Sequence, residues 1–240
     1  MRRLLLNDAI PDDASAHALD EEASHYATNV LRLRSSSRVE ALAADGRLVE
    51  ATLIWTDGVA TLTDISTAAG VTSSIPITLV AALIKPARWE WMLEKAVELG
   101  ATTIVPLQAE RSIIRLPPER VPSRVARWQK ICDGAVRQCG RAERVTVAPP
   151  MSIAEVLDAA TNSAVWLLDE TQTGAAWPPS PAGCGMHLFV GPEGGFTDAE
   201  REQLYDHGAS SIGLGPALLR AETAAICALS GLLLSQEGRI

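Results

Sequence analysis

From residue 77 onward the sequence alternates short apolar runs with stretches of helical period, and this alternation narrows the fold more than any other feature. Residues 77–84 form an apolar run ended by Lys85-Pro86. Residues 89–99 then place Met92, Ala96 and Leu99 on one side of a helix, with Gly100 able to cap it. Residues 102–106 read as a second buried strand, followed by the stretch 111–114. Val121–Cys139 reads as a long helix carrying Arg124, Arg127, Lys130 and Arg137 beside Val125, Trp128, Ile131 and Ala135. Further strands are expected at 163–168, 187–190 and 210–214, with helices at 200–207 and 221–234 and a Gly- and Pro-rich loop at 171–185. Strands alternating with helices predict an α/β fold with a mainly parallel sheet.

The first 70 residues follow a different rhythm. Residues 38–42, 48–55 and 59–65 have partly alternating apolar positions, separated by the turn signals Asp45-Gly46 and Asp57-Gly58. Hairpins in a small barrel fit this pattern better than helices. A helix over residues 20–33 presents His25, Arg32 and Arg34. Residues 67–74 are small and polar and form the best linker, giving two domains, 1–72 and 73–240.

Composition excludes several classes. A chain of 240 residues with 47% hydrophobic side chains has enough apolar surface for a core, which rules out disorder throughout. Its longest nearly unbroken apolar run, residues 75–84, is too short to cross a bilayer as a helix. The start has a basic head but an apolar stretch of only three residues, Leu4-Leu5-Leu6, unlike a signal peptide. Cys132, Cys139, Cys184 and Cys227 are widely spaced, and with four histidines they form no dense metal-ligand motif. These features predict a cytoplasmic protein with free thiols and no metal.

The net charge of −8 argues against a nonspecific nucleic-acid coat. Its distribution is uneven, however. Residues 85–144 hold 12 basic and 7 acidic side chains, whereas both flanking regions are acidic. A local phosphate-binding surface and ordinary solvated helix faces both account for this.

The segment with the most chemistry is Phe189-Val190-Gly191-Pro192-Glu193-Gly194-Gly195-Phe196-Thr197. A strand runs into three glycines and then into a helix start, with Thr197 and Glu200 at capping-box spacing. Glycines let backbone approach a ligand, and open α/β sheets bind ligands at the carboxyl ends of their strands. A tight structural turn is the alternative. The spacing matches neither dinucleotide-binding nor P-loop patterns. Gly213-Leu214-Gly215 is a second glycine turn that can frame the same pocket, with Leu214 and Leu218 on its apolar wall.

Arg220 offers a rigid fork of donors for phosphate. Glu222 and Thr223 either serve a site or simply cap the final helix. Glu193 is a general base, an orienting acceptor or an exposed turn carboxylate. Cys139 reads as a buried or idle thiol. Trp89 and Trp91 stack on bases or pack in the core.

Taken in chain order, these segments resemble the RsmE family of bacterial ribosomal RNA methyltransferases, of the SPOUT class. The resemblance runs through Met1-Arg2-Arg3, His25 with Asn29-Val30-Leu31-Arg32, Lys85, Lys95-Ala96-Val97-Glu98-Leu99-Gly100, Arg111-Ser112, Arg127-Trp128 and Gln138-Cys139-Gly140-Arg141. Its most specific parts are Gly191-Pro192-Glu193-Gly194-Gly195-Phe196 with Glu200, and Leu218-Leu219-Arg220-Ala221-Glu222-Thr223. It implies a smaller N-terminal PUA-like β-barrel domain and a C-terminal SPOUT trefoil-knotted methyltransferase domain, assembled as a homodimer. It also implies transfer of a methyl group from S-adenosyl-L-methionine (SAM), without a metal, to N3 of a uridine in the decoding region of 16S rRNA. The substrate it implies is the small ribosomal subunit.

By the same resemblance, Gly191, Pro192, Glu193, Gly194, Gly195, Leu214, Gly215, Leu219 and Thr223 bind the cofactor. Arg220 and Glu222 are catalytic, and Arg32, Arg34, Arg111, Arg127 and Arg141 position RNA phosphates. Arg137, Cys139 and Ala217 stand where the family often has Glu, Ser and Arg. The competing readings are a knotted methyltransferase acting on tRNA or another rRNA nucleoside, and an RNA-binding assembly factor with a degenerate pocket.

Overall fold

The computed structural model describes residues 2–56, 59–70, 75–172, 177 and 184–236. The chain divides into two units: Met1–Thr72 with Val136–Arg144, and Ser73–Ala135 with Val145–Ile240. The Asp57-Gly58 turn, residues 71–74 of the expected linker and most of the expected 171–185 loop lie outside the described residues.

The strands of the first unit are β1 (Arg2–Leu5), β2 (Ala16–Ala18), β3 (Ser37–Leu42), β4 (Leu48–Thr56) and β5 (Val59–Thr67). They form one sheet in the order β1-β3-β4-β5-β2, with β1 parallel to β3 and every other pairing antiparallel. The expected turn at Asp45-Gly46 joins β3 to β4. Gly46 has φ +86°, and its N–H donates to the Ala43 carbonyl at 3.0 Å. One sheet face buries Val39, Ala41, Ala51, Leu53 and Leu62, with Leu4 from β1 beside them. β1 and β2 carry no alternation because they have only four and three residues. Among the described residues no ladder joins these two outer strands.

The helix expected over residues 20–33 is shorter. α1 (Glu21–His25) begins where the Asp20 side chain accepts the Ala23 N–H at 2.7 Å. It widens into a π turn at Tyr26–Val30 and ends there. Thr28 and Val30 are β-branched, and Thr28 Oγ1 donates to the Ser24 carbonyl, all of which works against helix continuation. Arg32 follows with φ +51°, so Arg32 and Arg34 lie in the exposed loop beyond the helix.

The second unit contains β6 (Ile77–Ala82), α2 (Pro86–Glu98), β7 (Ala101–Leu107), α3 (Val121–Cys139), β8 (Thr146–Val147), α4 (Ile153–Ala159), β9 (Ala164–Leu168), β10 (Met186–Val190), α5 (Asp198–Asp206), β11 (Ser210–Ile212) and α6 (Ala221–Gln236). The last turn of α3 groups with the first unit. The six strands run in the order β11-β9-β10-β6-β7-β8, all parallel, as the alternation predicts.

Pro86 opens α2 at the first helical turn, where its missing N–H costs nothing. Trp89, Met92, Leu93, Ala96 and Val97 turn inward, and Trp89 packs on Trp128 with ring centroids 5.4 Å apart. Trp89 is therefore a core residue, while Trp91 stays half exposed. β8 and α4 are additions to the sequence reading. β8 is held by Gln129, whose side chain accepts the Val147 N–H and donates to the Val145 carbonyl. α4 starts on a capping box between Ser152 and Glu155. α6 buries Ala225, Ala228, Leu229 and Leu232. No described helix is long and apolar enough to cross a membrane.

Candidate functional site

β11, β9 and β10 lie side by side and parallel, so their carboxyl ends open on one edge of the sheet. The segments leaving them, residues 168–170, 190–195 and 212–221, enclose a cavity of about 480 Å³. This is where an open α/β sheet is expected to hold a ligand, and the volume suits a small molecule of nucleoside size or more.

The glycines earn their places in the loop after β10 by contact and by backbone geometry. A Cβ on Gly191 would press on the Phe196 ring at 3.2 Å, and one on Gly194 would meet the Arg111 side chain at 3.4 Å. Gly195 has φ +67°, and a Cβ there would run into the Glu170 carboxylate. Its N–H donates to the Pro192 carbonyl at 2.9 Å and closes the turn.

Side chains from outside the loop hold it. Arg111 Nη1 donates to the carbonyls of Gly194 at 3.0 Å and Phe196 at 3.2 Å. Arg201 Nη1 also donates to the Phe196 carbonyl, at 2.6 Å. The expected capping box is present: Glu200 N–H donates to Thr197 Oγ1, and Thr197 N–H donates to Glu200 Oε2 at 2.8 Å. The second oxygen of Glu200 accepts the Glu110 N–H at 2.7 Å, so the same carboxylate ties the segment after β7 to the start of α5. Thr197→Ala is expected to cost about 1 kcal/mol, seen as a melting temperature lower by roughly 2–4 °C. An unchanged melting curve would mean that Arg111 and Arg201 hold this segment without the cap.

An acidic pair lines the opposite side, at the end of β9. Asp169 is 3% exposed. Its carboxylate accepts the Thr171 N–H at 2.9 Å, the Thr171 hydroxyl at 2.6 Å and the Tyr205 hydroxyl at 2.6 Å. Burial pushes the Asp169 carboxyl up, but those hydrogen bonds and the Arg201 charge outweigh it and hold it below the usual range. Tyr205 is pushed up to about 12 by burial and by its bond to that carboxylate. Glu170 is exposed and lies 3.9 Å from Arg201. Neither acid figures in the sequence reading. The available signal is that both directly follow the apolar run of β9, at its carboxyl end.

Eight of the expected cofactor residues line the cavity: Gly191, Pro192, Glu193, Gly194, Gly195, Leu214, Gly215 and Leu219. Thr223 is exposed and is not among the lining residues. Arg220 lines the rim, and its exposed guanidinium makes no hydrogen bond or ion pair among the described residues. Glu222 is 6% exposed and does not line the cavity. Its Oε1 sits 3.5 Å from Arg88 Nε of α2, and its Oε2 has no hydrogen-bond partner among the described residues.

The five arginines expected at RNA have different settings. Arg32 and Arg34 are exposed. Arg127 is exposed but grips Glu90 through two bonds of 2.7 and 2.8 Å, which holds the Glu90 carboxyl below its ordinary value. Arg111 is spent on loop carbonyls, as above. Arg141 is buried and donates to Glu143 at 2.9 Å, while its carbonyl accepts from Arg3. Among the described residues no group of three or more His, Cys, Asp or Glu is placed to hold a metal ion.

Residues 71–233 match the RNA methyltransferase domain family. The chain is 29% identical to the ribosomal RNA small subunit methyltransferase E of Bacillus subtilis over 94% of this chain and 93% of that one. It is 31% identical to the protein of the same name from Mycobacterium tuberculosis, over 92% and 87%. Among solved structures it is similar to the ribosomal RNA small subunit methyltransferase E of Neisseria gonorrhoeae bound to S-adenosyl methionine. The TM-score is 0.84 with 28% identity, over 97% of this chain and 96% of that one.

Proposed function

This chain belongs to the RsmE family of SAM-dependent methyltransferases acting on 16S rRNA, and from that premise we propose that the atom it methylates is N3 of a uridine in the decoding region. The observation that carries the reading is the glycine-lined cavity at the joined ends of β9, β10 and β11. Its volume accommodates SAM. The absence of side chains at Gly191, Gly194 and Gly195 lets the loop pack closely on Phe196, Arg111 and Glu170, which holds its backbone along the cavity wall.

The loop of residues 191–195 and Leu214, Gly215 and Leu219 hold the cofactor. SAM, when bound, supplies a methyl group already activated on a sulfonium centre. The protein's task is then to align the target nitrogen and to stabilise the charge that appears on uracil as N3 loses its proton. Arg220 suits the second task. It sits at the cavity rim with its guanidinium donors unengaged among the described residues, which leaves them for the uracil oxygens. Glu222 acts one step back: buried beside Arg88, it fixes the first turn of α6 and with it the direction of Arg220. Arg32 and Arg34 are exposed on the first unit and available to phosphates.

The division into domains 1–72 and 73–240 is part of the same reading. The first is a PUA-like RNA-binding barrel, supported by its five-stranded mixed sheet. The second carries the trefoil knot, supported by the entry of β10 between β9 and β6, both laid down earlier in the chain. The active species is a homodimer, to be checked by sedimentation, and its ribosomal substrate makes the cytoplasm its place of action.

The deciding experiment combines the protein and labelled SAM with small subunits from a strain lacking the modification and, in a parallel reaction, with tRNA, the labelled nucleoside being identified by mass spectrometry. The expected result is 3-methyluridine in the decoding region. Label at another nucleoside would overturn the proposed position. Label on tRNA alone would overturn the proposed substrate.

A further inference from the structure

The ionisable groups around the cavity are unbalanced. Asp169, Glu170 and Glu193 line it against one guanidinium, that of Arg220. Behind the lining, Arg111 and Arg201 bond to loop carbonyls, and Asp198 and Glu200 match their charge. Negative charge is therefore left over at the cavity. Asp169 contributes most directly. It is buried, and its three hydrogen-bond donors, the Thr171 N–H, the Thr171 hydroxyl and the Tyr205 hydroxyl, are all neutral. No basic group lies within ion-pair distance of it among the described residues. Against burial, those donors and the more distant Arg201 charge hold its carboxyl below the usual range. Glu170 has Arg201 at 3.9 Å, beyond hydrogen-bond reach, while Arg201 is bonded to Asp198 and to the Phe196 carbonyl. Glu193 is exposed, so solvent screens it more.

Methyl transfer changes the charge of whatever occupies such a cavity. The carbon–sulfur bond breaks and its electron pair stays on sulfur, which becomes a neutral thioether. The methyl carbon bonds to N3, whose proton is released to solvent. The spent ligand thus carries one positive charge fewer than the fresh one.

Resting on the cofactor reading above, we propose that Asp169 and Glu170 make the cavity select its ligand by charge, holding SAM more tightly than the product S-adenosylhomocysteine. The two ligands share nearly every other contact, so shape discriminates between them weakly. One carboxylate about 8 Å from a cation, in an effective dielectric of about 20–40, changes affinity by roughly fivefold to thirtyfold. Product then leaves more readily than substrate.

Calorimetric titration of both ligands into wild type, Glu170→Gln and Asp169→Asn tests this. Glu170→Gln keeps the shape that packs on Gly195 and removes only the charge. The expected result is a loss of SAM affinity of about fivefold or more in each variant, with S-adenosylhomocysteine affinity within about twofold of wild type. Added salt should narrow the gap between the two ligands in wild type. Asp169→Asn also disturbs the bonds to Thr171 and Tyr205, so its melting curve is recorded alongside, and Glu170→Gln decides the matter if that variant is unfolded. Equal losses for both ligands, or an unmoved ratio in Glu170→Gln, overturn the inference and leave the cofactor reading standing. Wild type that binds neither ligand overturns the cofactor reading, and the inference falls with it.

Discussion

Arg220→Ala is expected to lower methyl transfer to small ribosomal subunits by about 10²–10³-fold without weakening SAM binding by more than about twofold. The separation of the two effects follows from where the side chain stands. Its guanidinium is at the rim, exposed and without a partner among the described residues, so removing it breaks no described bond that shapes the cavity. What disappears is a fixed positive group beside the oxygens that gain charge when N3 is deprotonated. Arg220→Lys keeps the charge but loses the planar fork, and an intermediate loss of about tenfold is expected. Rates come from single-turnover transfer of labelled methyl, and affinities from calorimetry on the same protein. A parallel fall in rate and SAM affinity would place Arg220 in cofactor binding instead and remove its selective role.

Gly195→Ala is expected to weaken SAM binding at least tenfold and to lower the melting temperature by several degrees. Two penalties meet at this residue. The left-handed backbone costs a side-chain-bearing residue about 1–2 kcal/mol, and the new methyl group displaces the Glu170 carboxylate. The control is Gly208→Ala. Gly208 also has a positive φ, +78°, but a Cβ there meets nothing within 4 Å. It should share the loss of stability and keep normal SAM affinity. If both variants bind SAM as wild type does, the conformation at Gly195 is not what forms the pocket.

The glycine loop was legible in the sequence because its constraint is local. Three glycines between an apolar run and a capping box point to a strand, a close backbone approach and a helix start. The parallel sheet was legible for a similar reason, since alternating periods leave few other arrangements. Asp169 and Glu170 carried only one cue in the sequence, their place directly after the apolar run of β9. Their importance depends on β9 lying beside β10, and strand order is not written in local pattern. Arg111 shows the same limit from the other side. A basic residue in a basic segment suggests RNA, yet the fold turns it onto two carbonyls of the glycine loop. Arg141 is likewise buried beside Glu143. β1, β2 and β8 are too short for any period to register. The capping box of α4 was available in Ser152 and Glu155 and is a cue that a closer reading of helix starts would catch.

The place of β10 in the sheet has a consequence for how this protein is made. Met186 pairs with Ile77 on one side and with Ala164 on the other, so the sheet stays split until β10 arrives. Bringing such distant segments together carries a large closure entropy, and contacts of this range slow folding. A chain emerging from the ribosome has therefore completed β6, β7 and β9 before the strand that joins them exists. The walls of the cavity come later still, from residues 190–195 and 212–221. The cavity is therefore complete only once residues 212–221 have been made and placed.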